Sequence, residues 1–266
     1  MDIPAEVQEV IDVYTARMSR DLPGLIEDCC LFGSVSLDAF QAGLSDLDFL
    51  VVTSRKLKAQ EVQTLEQIHR ELENSFSRMS LDGRYVWTEE WANLGVAYCP
   101  YYYFNNGRLI GIEKLYKDSI DAFQIKQYGI PVIGADPRSY SYSIDWDVLT
   151  ENLKGNLQTY WLKWINKVEK FPSIPYFGLL FKGSMIEWGV LGVSRIYYSI
   201  REHDMISKYG AGEYALQRVL EQWQRIVRES INLRNGNSKS LYRSVFKRRQ
   251  DTLAYMNDLI KECLDA

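Results

Sequence analysis

The spacing of apolar residues changes once along this chain, and that change constrains its fold more than any other feature. In the first half, short apolar runs suited to strands alternate with helical stretches. Across 145–170, 174–203, 211–234 and 240–264, aromatic and aliphatic residues recur at i, i+3 and i+4, the spacing of helices. Between the two regimes lies ADPRSYSYS (135–143), polar and turn-rich, which reads as a linker. The expectation is an α+β domain over 1–140, a mixed sheet with helices, followed by an all-helical domain over 141–266.

Within the first domain, Val7, Val10, Ile11 and Tyr14 mark a helix over 5–20, which Pro23-Gly24 separates from the next element. LIEDCCLF (25–32) reads as a strand ending at Gly33, and LDFLVVT (47–53) is the strongest strand signal in the chain. Val62, Leu65, Ile68 and Leu72 stripe a helix over 58–78, and a strand follows at about 81–88. VAYCPYYYF and LIGIEKLY flank Asn105-Asn106-Gly107, a hairpin signal. A helix near 118–128 stops at Gly129, and IPVIG is a short strand or connector.

Charge and composition exclude several classes. With 31 Lys plus Arg against 35 Asp plus Glu, the chain carries −4, the wrong sign for a nucleic-acid binder. The most basic run, KSLYRSVFKRR (239–249), reads as a solvated helix face. No apolar run reaches the roughly 18 residues of a membrane span. The acidic start MDIPAEVQEV does not resemble a secretory signal. Cys29, Cys30, Cys99 and Cys263 include no C-x-x-C pair, and the only histidines are His69 and His203, so zinc ligands at usable spacing are missing. Reduced, partly buried thiols, structural histidines and a cytoplasmic location are the expectation.

The stretch that carries chemistry is CLFGSVSLDAFQAGLSDLDFLVV. Gly33-Ser34 ends one strand, eleven residues follow (35–45), and Asp46-Leu47-Asp48 opens the next. Residues two apart on a strand share a face, so Asp46 and Asp48 project together while Leu47 enters the core. Adjacent carboxylates repel, and a divalent cation resolves that repulsion. Mg²⁺ suits hard oxygen ligands and is held by one or two carboxylates together with substrate phosphates. Gly33 permits close backbone approach to a ligand, and Ser34 offers a hydroxyl and an N–H to phosphate oxygens.

On these residues the chain resembles the nucleotidyltransferase superfamily, whose motif is Gly-Ser, a spacer of this length, then Asp-x-Asp. Within it the chain is most similar to the bacterial adenylyltransferases that modify streptomycin and spectinomycin. A second stretch, VLGVSRIYYSIREHDMISKYGAGEYAL (190–216), resembles a segment of their helical domain, with Arg195-Ile196-Tyr197-Tyr198 preceding Ser207-Lys208. The resemblance implies a nucleotidyltransferase-fold first domain and a helical domain that helps to bind substrate and nucleotide. It implies that Gly33, Ser34, Lys208 and Arg195 meet the nucleotide, with ATP as co-substrate. Asp46 and Asp48 would hold Mg²⁺, and antibiotic resistance would be the biological consequence.

Two departures matter. The resemblance implies a third carboxylate, a general base on a later strand, but aligns Tyr85 there. Asp82 is the favoured replacement, although its parity differs from that of Tyr85 and a bulge at Gly83 would be needed. Glu89 is the second candidate, and the absence of any base is the third possibility. Met185 stands where an acidic residue for a cationic drug is implied. The acceptor-pocket candidates are therefore Glu187, Trp188 and Tyr102, with Tyr101 and Tyr103 beside it. Arg234, at the end of a helix, is a lesser candidate for phosphate.

The expected activity is Mg²⁺-dependent transfer of AMP from ATP to a hydroxyl of a small molecule, an aminoglycoside or aminocyclitol, with release of pyrophosphate. The site would lie between the domains of a monomer. The rivals are adenylylation of a protein, as in toxin–antitoxin systems, and a nucleotide-binding pseudoenzyme or interaction protein that has lost its base.

Overall fold

A computed structural model describes residues 3–237 and 239–265. The chain divides into two units, Met1–Asp145 and Trp146–Ala266.

The first unit is built on a six-stranded mixed sheet. Its elements are α1 (Ala5–Asp21), β1 (Ile26–Leu31), α2 (Gly33–Ser36), β2 (Leu47–Thr53), α3 (Ala59–Ser75), β3 (Leu81–Trp87), α4 (Thr88–Asn93), β4 (Tyr98–Asn105), β5 (Arg108–Tyr116), α5 (Ile120–Tyr128) and β6 (Ile130–Ile133). The strand order is β5-β4-β3-β2-β1-β6. Only β2 and β3 pair in parallel, because α3 carries the chain back between them. Asn106 and Gly107 take φ of +50° and +65° in the β4–β5 turn, the left-handed geometry that matches strand twist in a tight hairpin.

Both faces of the sheet are covered. α1 and α3 bury Val7, Val10, Ile11, Leu65 and Ile68 against Leu31, Leu47, Phe49 and Val51 on one face. On the other, Leu94, Ala122, Ile125, Tyr140 and Tyr142 pack on Cys30, Leu50, Val52 and Val86. Tyr140 and Tyr142 come from the stretch expected to be a linker. They wedge edge-on against Trp91, with ring centroids 4.9 and 5.8 Å away, and the Tyr142 hydroxyl donates to the Ala122 carbonyl at 2.7 Å. Aromatic burial therefore ties this polar segment to the sheet, inside the first unit.

The second unit is helical: α6 (Trp146–Asn156), a π-helical turn (Leu157–Trp161), α7 (Leu162–Glu169), α8 (Ile174–Phe181), α9 (Gly183–Glu202), α10 (Lys208–Leu216), α11 (Glu221–Arg234) and α12 (Val245–Asp265). α9 is its spine, burying Ile186, Val190, Leu191, Val193, Tyr197 and Ile200. The basic run 239–249 is only partly solvated. Arg248 is buried, pairs with Glu229 at 3.2 Å and donates to the Leu180 carbonyl at 3.0 Å. A buried carboxylate on α11 needs a cation, and the chain supplies one from this run.

All four cysteines are buried and free. His69 is buried against the Tyr85 hydroxyl at 2.7 Å, and His203 stacks on Trp146 with centroids 5.1 Å apart. Among the described residues, no helix is long and apolar enough to cross a membrane.

Candidate active site

The parallel register of β2 and β3 sets Asp48 directly beside Asp82. Side chains alternate across a sheet, so Arg84 shares their face, and Tyr103 lies opposite Arg84 on β4. Tyr103 donates its hydroxyl to Asp82 Oδ2 at 2.7 Å, and Asn105 donates Nδ2 to the same oxygen at 3.0 Å. Asp82 Oδ1 accepts no hydrogen bond and lies 3.1 Å from Arg84 Nη1. Asp46 stands exposed just ahead of β2.

No bulge occurs at Gly83: the β2–β3 and β3–β4 registers run unbroken through it. A Cβ there would sit 2.8 Å from Phe49 and 2.9 Å from His69, so the glycine serves core packing on the opposite face. Tyr85 lies on that opposite face too, fully buried and bonded to the Tyr14 hydroxyl at 2.9 Å. The strand thus delivers Asp82 to the Asp48 face by simple alternation, and the alignment that put Tyr85 in the site is corrected. Glu89 is exposed on α4, past the far end of β3. Tyr102 is also corrected. It shares the Tyr85 face, packs on Trp87 at 6.0 Å and is buried in the core beneath α1 and α3.

Burial pushes the Asp48 carboxyl up to about 7; Arg84 opposes this, while Asp82, Asp121 and Asp46 add to it. A carboxyl raised in the folded state favours folding only while protonated. Its contribution is therefore present below the unfolded value near 3.8 and is lost as pH rises toward 7. Without metal, thermal stability should fall across that interval in the wild type more steeply than in Asp48→Asn. Melting temperatures at a series of pH values check this; parallel curves would contradict it.

Gly33 opens α2 at φ +65°, and a Cβ on it would lie 1.9 Å from Asp48 Oδ2. Its carbonyl accepts from Gln124 Nε2 at 2.6 Å and from the Ser36 hydroxyl at 3.2 Å, which fixes the turn against α5. The Ser34 hydroxyl is buried without a hydrogen-bond partner. Gly33→Ala should destabilise the protein by about 1–3 kcal/mol, since strain and overlap coincide. It should also displace Asp48, lowering activity by more than the stability loss explains. Chemical denaturation and steady-state kinetics on the same preparation separate the two effects.

The donor set fits a hard divalent cation. Asp46 and Asp48 offer carboxylate oxygens, and the orphaned Ser34 hydroxyl offers a contact to a phosphate. Among the described residues, no group of three or more His, Cys, Asp or Glu could hold a metal ion.

In the second unit, Lys208 opens α10, whose cap is Ser207, accepting from the Gly210 N–H at 3.0 Å. Lys208 lies 3.7 Å and Arg234 3.6 Å from Glu187 Oε1. Burial lowers the Lys208 ammonium pKa; Glu187 counters this, and Arg234 and Arg195 reinforce it. Two cations thus flank one carboxylate. Glu187, expected to meet a cationic acceptor, lies within ion-pair distance of Lys208 and Arg234. Trp188 sits half-buried on Trp161, with centroids 4.5 Å apart, and on Trp164 at 5.4 Å.

The residues missed by sequence reasoning are Arg84, Asp121, Asn105 and Gln124. Arg84 was accessible, since it stands two residues past Asp82 and must share its face. Asp121 and Gln124 come from a helix far away in sequence and carry no local signal.

The fold is shared with a solved structure. Over 96% of this chain and 99% of the other, it matches the crystal structure of spectinomycin adenyltransferase AAD(9) from Enterococcus faecialis with ATP and spectinomycin, with a TM-score of 0.69 and 15% identity. Residues 186–260 match the family model of the aminoglycoside adenylyltransferase C-terminal domain. The chain thus shares its fold with that enzyme, and its C-terminal part is similar to the C-terminal domain of the aminoglycoside adenylyltransferases. No curated protein sequence matches the chain.

Proposed function

We propose that this protein transfers AMP from ATP to a hydroxyl of an aminoglycoside-type antibiotic, with release of pyrophosphate. The observation that carries this reading is the pairing of Asp48 with Asp82 on neighbouring parallel strands, beside Asp46 and the unpartnered Ser34 hydroxyl. The match of residues 186–260 supports the acceptor class, as does the structural relative, a spectinomycin adenyltransferase solved with ATP and spectinomycin.

Asp46 and Asp48 would hold Mg²⁺, which when bound neutralises triphosphate charge and polarises the α-phosphoryl group. Asp82 Oδ1 takes the proton of the acceptor hydroxyl, while Tyr103 and Asn105 hold the other oxygen of the same carboxylate. The acceptor oxygen attacks the α-phosphorus. The bond from that phosphorus to the bridging oxygen breaks, and the electron pair leaves with pyrophosphate. The Ser34 hydroxyl contacts a phosphate oxygen. Lys208 and Arg195 supply positive charge for the triphosphate, and Arg234 joins them.

The test is pyrophosphate release from ATP across a panel of aminoglycosides and spectinomycin, with total cellular protein as a separate acceptor. Release that depends on a drug supports the reading. Release only with polypeptide, which would itself become labelled, replaces the acceptor. Nucleotide binding with no release under any condition contradicts transfer.

A further inference from the structure

Arg84 occupies the place where a cation is needed. Its Nη1 lies 3.1 Å from Asp82 Oδ1 and 3.9 Å from Asp48 Oδ1, and its Nη2 donates to Asp121 Oδ2 at 3.2 Å. Phe32 and Tyr103 present ring faces to the guanidinium carbon at 4.7 and 5.8 Å. The side chain is 11% exposed. Yet neither Nε nor Nη1 makes a hydrogen bond of good geometry, and Asp82 Oδ1 also lacks one. Arg84 therefore neutralises the carboxylates by charge and proximity, without the bidentate fork that would lock an arginine to one partner.

We propose that Arg84 is the chain's own counter-cation, held between Asp82 and Asp48 and competing with the divalent metal for Asp48, so setting the affinity for metal. The proposal rests on the reading of Asp46 and Asp48 as metal ligands. Arg84 screens the adjacent carboxylates from one another. Asp46 and Asp48 would hold the metal, while Asp121 on α5 and the two rings would retain the guanidinium. Loading thus exchanges one cation for another, and the protein binds metal weakly until nucleotide phosphates add their own charge.

The test is Mn²⁺ binding followed by electron paramagnetic resonance, without nucleotide, in alkaline buffer where the carboxylates are ionised. Arg84→Gln should bind Mn²⁺ more tightly by about tenfold or more, the scale on which a cation near 4 Å changes a carboxylate's affinity for another positive charge. Arg84→Lys should fall between the two proteins, since a point charge bridges fewer carboxylates. Asp46→Asn should weaken binding in each background. If Arg84→Gln fails to fold by circular dichroism, the comparison of Arg84→Lys with wild type decides. Unchanged or weaker binding in the Arg84 variants, with Asp46→Asn still effective, would overturn the competition and leave the metal reading intact. No Mn²⁺ bound by any variant, with or without ATP, would overturn both.

Discussion

Asp82→Asn is expected to lower kcat by about 10²–10⁴-fold while leaving KM for ATP little changed, the signature of a lost general base. Asp82 is placed to accept a proton because its two oxygens are treated differently. Oδ2 is held by Tyr103 and Asn105, and Oδ1 is free of hydrogen bonds. Asn preserves the shape and could still accept from Tyr103, so folding should survive. Glu89→Gln, exposed on α4, should leave kcat unchanged. Steady-state kinetics with saturating acceptor checks both variants. A kcat for Asp82→Asn within a few-fold of wild type would remove Asp82 from the chemistry.

Asp48→Asn should be comparably severe for a different reason. Removing a metal ligand forfeits several kcal/mol of transition-state charge stabilisation, on the order of 10³-fold in rate. Unlike Asp82→Asn, it should also abolish tight metal–nucleotide binding, because Asp48 acts on the ground-state complex as well. Calorimetric titration with Mg²⁺ and ATP distinguishes the pair: Asp82→Asn binds, Asp48→Asn does not. Equal binding by both would show that Asp48 carries no metal.

The two variants also mark the limits of what was legible in the sequence. Asp46-Leu47-Asp48 could be read because strand alternation places alternate residues on one face within three positions. The same rule, applied from Asp82 rather than from Tyr85, would have given the correct β3 face without a bulge. The error came from aligning by spacing before asking which residues the core claims. Tyr85 and Tyr102 were claimed by the core, through Tyr14, His69 and Trp87. Pairing partners remote in sequence were not legible at all. Nothing local ties Asp121 to β3 or Gln124 to α2, and nothing local ties Glu187 to Arg234. The helical half and three of its breaks were readable from periodicity, but not every break was. Lys182 divides α8 from α9 within a stretch whose apolar spacing continues across it.

The central claim is that the α-phosphoryl group of ATP moves to a drug hydroxyl. Two parallel reactions with spectinomycin test it most directly, one with ATP radiolabelled at the α-phosphate and one with ATP labelled at the γ-phosphate. The α-label should join the drug and the γ-label should appear as pyrophosphate, with both lost in Asp48→Asn. Label from the γ-phosphate on the drug, or no label on any member of the aminoglycoside panel while ATP binds, would contradict it.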